Sequence, residues 1–448
     1  MKRVLVWGMA KSGIAAAKLL ADTGCFVRIN DKKTQAELGD ALKPLDGLDI
    51  DMRLGEDVKT LMDDIDTLII SPGIPADHEA AVYAREKGIE VIGEIELAYR
   101  NAKGLLVGIT GTNGKTTTTT LLGEIFKAWG RHTCVVGNIG EPYAAHAAEL
   151  TDDSATACEL SSFQLETISD FKPHVALILN LTEDHLNRHK TMENYARIKE
   201  RVFMNQNEKD YLVLNYDDPI TRDMANRAHS KVYWFSRLDK PERGAYVSDA
   251  MAVFSDGITE REVIPVDEIG IPGPHNLENA LAAIAGAMTA GVPREIIASV
   301  LKSFQGVEHR IERVRTVNGI TFINDSKGTN PDSTIKAVQT MKAPTVIILG
   351  GSEKNSDYTA MCRVIRESPV CYAVLLGDTG KAIGEALKAQ GFTDYVYTGY
   401  DFKQAIDTAA QHAQDGWNVL LSPACASFDM FKDFEHRGEE FKRIVNEM

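Results

Sequence analysis

Short apolar runs that close in polar or glycine-rich turns recur along the 448-residue chain, separated by segments with apolar positions every three to four residues. Unbroken apolar runs of this length read as strands buried on both faces, and the longer periodic segments read as helices. Up to about residue 94, strands are expected at Arg3–Trp7, Phe26–Asn30 and Thr67–Ile70, with an Ala-rich helix at Ser12–Ala21. This is the βαβ rhythm of an open parallel sheet. From about 95 to 306, strands are expected at Leu105–Ile109, Thr133–Val136, Ala155–Cys158 and Val175–Asn180. Helices are expected at Thr118 to Trp129, His275 to Ala290 and Pro293 to Phe304. Past a hinge near Gly306, a further unit offers strands at Ile320–Asn324, Thr345–Leu349, Ala373–Leu376 and Val419–Leu421, then an amphipathic helix from about Ser427. At roughly 150 residues per domain the length suggests three domains.

One turn carries specific chemistry. Gly111-Thr112-Asn113-Gly114-Lys115-Thr116-Thr117 lies between an expected strand and an expected helix, the context a phosphate-binding loop requires. Its glycines let the backbone approach phosphate oxygens, and amides at the helix start point at the anion. Lys115 would reach the β- and γ-phosphates, and the Thr116 hydroxyl would ligate Mg²⁺. The loop departs from the standard spacing, because Ile109 stands where a first glycine is expected. Near the N-terminus, Gly8-Met9-Ala10-Lys11-Ser12-Gly13 is an imperfect dinucleotide fingerprint, and Asp31 closes the next strand. It reads as a nucleotide-diphosphate site or, with no ligand, as a tight βα turn.

The other expected strands of the middle segment also end in polar groups: Asn138 after one, Glu159 at another, and Thr182-Glu183-Asp184-His185 after a third. A parallel sheet delivers strand ends to one edge. Glu159 could hold Mg²⁺ there, or be a surface carboxylate. His185 could bind a second ion, or be structural. Without an Asn-Lys-x-Asp motif a guanine-nucleotide switch is disfavoured. The net charge of −15 argues against nucleic acid. No apolar run is long enough to cross a bilayer, the N-terminus lacks a signal-peptide core, and six scattered cysteines suit a reducing cytosol.

Four stretches, in this order, resemble the Mur ligase family, which makes amide bonds on peptidoglycan precursors using ATP. They are the 111–117 loop, Glu159-Leu160-Ser161-Ser162-Phe163-Gln164-Leu165, Asn180-Leu181-Thr182-Glu183-Asp184-His185, and Gly273-Pro274-His275-Asn276-Leu277-Glu278-Asn279. Ser71-Pro72-Gly73-Ile74, Asn324-Asp325-Ser326-Lys327, Leu421 to Asp429 and Phe431 to Gly438 are similar to the branch adding D-glutamate to UDP-N-acetylmuramoyl-L-alanine. The resemblance implies an α/β protein of three domains: a Rossmann-like parallel sheet (1–94) for the UDP-sugar, a P-loop ATPase-type domain (95–306) and a Rossmann-like domain (307–448) for the amino acid. It implies Gly8, Ser12, Gly13, Asp31 and Ser71 at the UDP, and Asn138 at the alanyl end. ATP would meet Gly111 to Thr117, Asn276, Asn279, Arg310 and Asp325. D-glutamate would meet Lys327, Thr329, Lys354, Ser427 and Phe434, although the 350–355 stretch that carries Lys354 lacks the aspartate expected near Ser352. Catalysis would rest on Lys115, Glu159, His185 and Lys199, with Thr116, Glu159, His185 and Lys199 binding two Mg²⁺ ions. Lys199 would carry CO₂ as a carbamate, whereas its helical setting alone reads as a solvated charge. The implied protein is a cytoplasmic monomer with small-molecule substrates and no membrane insertion. Rivals are another ligase of the family or a folylpolyglutamate synthase, a nucleotide-gated binder, and a small-molecule kinase.

Overall fold

The computed structural model describes residues 2–352 and 356–448, apart from the side chain of Asn187. Its contacts divide the chain into two compact units, Met1–Phe304 and Gln305–Met448.

The first unit carries two sheets. Strands β1 (Arg3–Trp7), β2 (Phe26–Asn30), β3 (Ile50–Met52), β4 (Thr67–Ile70) and β5 (Glu90–Gly93) lie in the order β3-β2-β1-β4-β5, all parallel. The order reverses between β1 and β4, so a crevice opens at their carboxyl ends. Gly8 and Ser71 stand there. The helix Lys11–Asp22 follows at once and buries Ile14, Ala16, Ala17 and Leu20.

Helix Glu94–Asn101 joins this sheet to the next, and it does so with two carboxylates. Glu94 accepts the Ala144 amide at 2.6 Å. Glu96 accepts three successive amides, Ser169, Asp170 and Phe171, at 2.8, 2.9 and 3.0 Å, and Arg100 Nε at 2.8 Å. A carboxylate caged this way satisfies donors that burial would otherwise leave unpaired. Both sheets thereby belong to one compact body.

The second sheet has nine strands: β6 (Leu105–Thr110), β7 (His132–Gly137), β8 (Ser154–Glu159), β9 (Val175–Ile178), β10 (Tyr211–Asn215), β11 (Lys231–Ser236), β12 (Arg243–Ser248), β13 (Met251–Asp256) and β14 (Glu260–Pro265). Their order is β14-β13-β12-β11-β10-β9-β6-β8-β7, parallel except that β13 and β14 add as antiparallel strands. Helix Pro274–Thr289 buries its whole run from Asn279 to Ala287, as an Ala-rich helix between layers must.

The second unit holds β15 (Glu312–Val317), β16 (Ile320–Asn324), β17 (Thr345–Gly350), β18 (Val370–Leu376), β19 (Tyr395–Tyr397) and β20 (Asn418–Leu421), ordered β15-β16-β20-β17-β18-β19. Only β15 runs antiparallel.

Three readings of the sequence need correction. The helix after the phosphate loop begins at Lys115, not Thr118, because Gly114 at φ 84° turns the chain directly into it. The closing helix begins at Phe434, not near Ser427. Asp433 caps it by accepting the His436 amide at 2.8 Å, and Asp429 instead bonds the distant Ser352. Strands β10 to β15 were not anticipated. The outer ones are edge strands with polar positions, so their apolar signal is diluted.

Candidate active site

Register places the site. Ile109 pairs with Glu159, and Glu159 with Gly137, so β6, β8 and β7 end level. The 111–117 loop leaves β6 there. Gly111 has φ 145°, and a Cβ on it would lie 3.0 Å from the Leu179 Cβ. A Cβ on Gly114, at φ 84°, would lie 2.2 Å from Asn279 Oδ1. Only glycine fits either place.

The segment after β9 holds the loop in shape. Asn180 acts as a second backbone: its Oδ1 accepts the Asn113 amide at 2.9 Å and its Nδ2 donates to the Asn113 carbonyl at 3.1 Å. Its own carbonyl accepts the Thr112 amide at 2.8 Å. The Thr112 hydroxyl meets the Thr182 amide and carbonyl at 3.1 Å and the Tyr195 hydroxyl at 3.2 Å. Asn279 binds the loop helix through the Thr118 hydroxyl at 3.4 Å, and donates to Asn276 at 3.3 Å. Thr116 and Thr117 are buried in the first helical turn.

Two lysines converge on one carbonyl. Lys115 Nζ donates to the oxygens of Gly111 and Thr112 at 3.0 and 2.8 Å. Lys199 Nζ donates to that same Gly111 oxygen at 2.9 Å and to the Thr110 hydroxyl at 3.2 Å. Lys199 is 1% exposed, which corrects its reading as a solvated helix charge. Burial, then the neighbouring charge of Lys115, holds its amine well below the usual lysine range, against the pull of Asp184 and Glu159. These electrostatic links bring Lys115, Glu159, Asp184 and Lys199 into one neighbourhood.

Glu159 is 2% exposed. Its Oε1 accepts Asn138 Nδ2 at 3.0 Å, while Oε2 has no hydrogen-bond partner among the described residues. A buried carboxylate oxygen left unpaired is costly unless a cation or donor meets it. Asn138 also donates its amide to the Glu159 carbonyl at 2.9 Å. His185 is exposed, in the left-handed region at φ 52°, with its ring 4.8 Å from Phe163 and its Nε2 3.5 Å from Asp184. Behind it His189 is buried, bonded to Ser162 at 2.9 Å, and burial lowers its pKa.

At the first sheet, Gly8 has φ 99°, and a Cβ on Gly13 would lie 1.9 Å from the Gly8 carbonyl. Ser71 Oγ donates to that carbonyl at 2.8 Å. Asp31 accepts the Met9 amide at 2.7 Å and the Lys33 amide at 2.9 Å, so it braces the turn. Ser12 lies half-buried in the first turn of the helix.

In the second unit Asp325 is fully enclosed. Ser422 Oγ donates to it at 2.6 Å and the Ile311 amide at 3.2 Å. Burial raises its carboxyl to about 7 despite the Ser422 bond. Arg310 is half-buried between His309 and Ile311, both of which are in the left-handed region at φ 62° and 49°. Lys327 lies over the Phe434 ring at 5.3 Å, Thr329 donates its amide to the Lys327 carbonyl at 2.9 Å, and Ser427 is buried. Lys354 lies outside the described residues.

Three family models match the chain in order between residues 2 and 425. They are the Mur ligase MurD-like N-terminal domain over residues 2–93, the Mur ligase middle domain over 109–287, and the Mur ligase glutamate ligase domain over 309–425. A UDP-N-acetylmuramoylalanine–D-glutamate ligase of Thermoanaerobacter sp. (strain X514) is 46% identical over 449 aligned residues, covering 100% of this chain and 98% of that one. The chain belongs to the Mur ligase family. The ligase of the same description from Clostridioides difficile (strain 630) is 44% identical, covering 100% of this chain and 99% of that one. Among solved Mur ligases, UDP-N-acetylmuramate–alanine ligase from Thermotoga maritima matches with a TM-score of 0.62 at 19% identity over 100% of both chains. A pseudomurein peptide ligase type C from Methanothermus fervidus matches at 0.59 and 18%, again over 100% of both. These two similarities establish the shared fold.

Sequence reasoning named neither Asn180 nor Asp184 as a site residue. Both stood in a quoted motif, Asn180 closing an expected strand and Asp184 in the turn after it, which was the available signal.

Proposed function

We propose that this Mur ligase joins D-glutamate to UDP-N-acetylmuramoyl-L-alanine with ATP, through an acyl phosphate, as a cytoplasmic monomer in peptidoglycan synthesis. The observation that carries the reading is the meeting of Lys115 and Lys199 on the Gly111 carbonyl, in one electrostatic neighbourhood with Glu159. The descriptions of the full-length relatives support the choice of substrates. Residues 1–94, 95–306 and 307–448 would take the UDP-sugar, ATP and the amino acid respectively.

The glycine turn and the amides opening helix Lys115–Ala128 receive the phosphates, and Lys115 leaves its loop carbonyls for the β- and γ-oxygens. The alanyl carboxylate attacks the γ-phosphorus, ADP leaves, and an acyl phosphate forms. The amine of D-glutamate then attacks the acyl carbon, loses a proton, and expels phosphate to leave the amide. His185 would orient or deprotonate the amine. The unpartnered Glu159 oxygen suits a cation. Two Mg²⁺ ions, held by Thr116, Glu159, His185 and a carbamate on Lys199, would offset the repulsion between anionic reactants. Lys199 fits carbamate formation, because burial favours the neutral amine that can add to CO₂ with release of one proton. Gly8, Ser12, Gly13, Asp31 and Ser71 would meet the UDP, Asn138 the alanyl end, and Lys327, Thr329, Lys354, Ser427 and Phe434 the D-glutamate. Asn276, Asn279, Arg310 and Asp325 would serve ATP.

A screen of D- and L-amino acids for phosphate release with the UDP-sugar present tests the reading. Sustained release should require D-glutamate. Release without any amino acid would make the protein a kinase, and no release a binder. Lys199→Ala should lose activity and regain part of it with short carboxylic acids, and ¹³CO₂ should label the parent protein but not the variant. Full activity in that variant would remove Lys199 from the site.

A further inference from the structure

Arg437 is 1% exposed, in the second turn of the closing helix. Among the described residues no carboxylate lies within ion-pair distance of its guanidinium. Its donors go instead to two loops. Nε donates to Ser326 Oγ at 2.9 Å, and Nη2 donates to the Ser326 carbonyl at 2.8 Å and the Cys425 carbonyl at 3.2 Å. Nη1 donates to the Ala426 carbonyl at 3.3 Å. Ser326 Oγ passes the link on by donating to the Phe434 carbonyl at 2.8 Å. Burying a cation with no carboxylate in direct contact is expensive, and burial lowers this guanidinium's pKa to about 10 against the longer-range pull of Asp429 and Asp325. An apolar side chain here would take away the donors that the Ser326, Cys425 and Ala426 carbonyls receive.

The acceptors explain the choice. Ser326 precedes Lys327, Ala426 precedes Ser427, and Phe434 is itself the end of the hydrogen-bonded chain. These are three of the residues assigned above to D-glutamate. Each comes from a separate segment, and Ala424 at φ 62° shows the second loop held in a conformation that side chains rarely adopt. We propose that Arg437 is the positioning residue of the amino-acid site. Its planar fork ties the 326–327 and 425–427 loops to the start of the closing helix, and so sets the distance between the groups that receive the two carboxylates. A lysine would keep the charge but not the fork, because one ammonium cannot reach acceptors spread around a guanidinium plane. The inference rests on the D-glutamate reading above.

The test compares Arg437→Lys, Ser326→Ala and Lys327→Ala in the full chain, with KM measured for all three substrates. Arg437→Lys should raise KM for D-glutamate tenfold or more and leave KM for ATP and the UDP-sugar within twofold. Ser326→Ala should move KM for D-glutamate in the same direction by a smaller factor. A merely structural role would lower kcat, through a smaller folded fraction, at unchanged KM; that result overturns the proposal. If Arg437→Lys fails to fold, Ser326→Ala decides by the same criterion. Unchanged KM in the Arg437 and Ser326 variants with a raised KM in Lys327→Ala would overturn the positioning role alone. Unchanged KM in all three would overturn the D-glutamate site as well.

Discussion

Glutamine at position 94 would remove a titration while keeping the side chain's shape and its acceptor for Ala144. Glu94 is 2% exposed, and its second oxygen has no hydrogen-bond partner among the described residues. Burial raises its carboxyl from 4.5 to about 7, against the lowering effect of the Ala144 amide. An acid with a raised folded pKa keeps its proton in the folded state over a range where the unfolded chain has already lost it. Stability is therefore full below pH 4.5 and falls as pH rises toward and through 7. A shift of about 2.5 units, at roughly 1.4 kcal/mol each, makes the loss about 3 kcal/mol by pH 8. The difference in unfolding free energy between Glu94→Gln and parent should change by about that amount between pH 4.5 and 8. Absolute stabilities matter less, because the buried glutamine amide carries a cost of its own. Urea unfolding followed by tryptophan fluorescence in a Trp417→Phe background isolates the first unit, which holds Trp7, Trp129 and Trp234. Parallel pH profiles for parent and variant would refute the argument.

Two further outcomes follow from the geometry. Gly114→Ala should weaken binding of an ATP analogue at least tenfold by calorimetry, since the new Cβ falls 2.2 Å from Asn279 Oδ1 in a backbone conformation that costs ~1–2 kcal/mol outside glycine. Gly291→Ala is the control, with φ 88° but nothing within 4 Å, and should leave that affinity unchanged. Glu96→Gln should destabilise the first unit by ~3 kcal/mol or more, because one amide oxygen cannot replace two carboxylate oxygens that serve three backbone amides and Arg100; a Tm within 1 °C (~0.3 kcal/mol) of the parent would refute the cage.

Much of the architecture was legible because its causes are local. The inner strands are apolar on both faces, so β1, β2, β4, β6, β8 and β16 stand out at nearly their observed limits. The 111–117 turn was legible because left-handed backbone beside a helix start calls for glycine at fixed places. Strands β12 to β14 were not, since an edge hairpin with polar positions resembles a loop. Lys199 shows the same limit at a single residue. Its helix carries charges on several sides, and nothing nearby in sequence distinguishes the buried lysine from Arg197, which is exposed.

By itself the sequence determined three α/β modules, the glycine turn that opens a helix at Lys115, and the strand ends that carry Glu159 and Asn180. Tertiary structure alone decided which groups meet: Lys199 with the Gly111 carbonyl 88 residues away, Glu96 with the amides near Phe171, and Arg437 with Ser326 across 111 residues. Backbone conformation and burial period are written in neighbouring residues. The partner of a buried charge is set by whichever distant chain segment folding brings within 3 Å, and no local pattern records that.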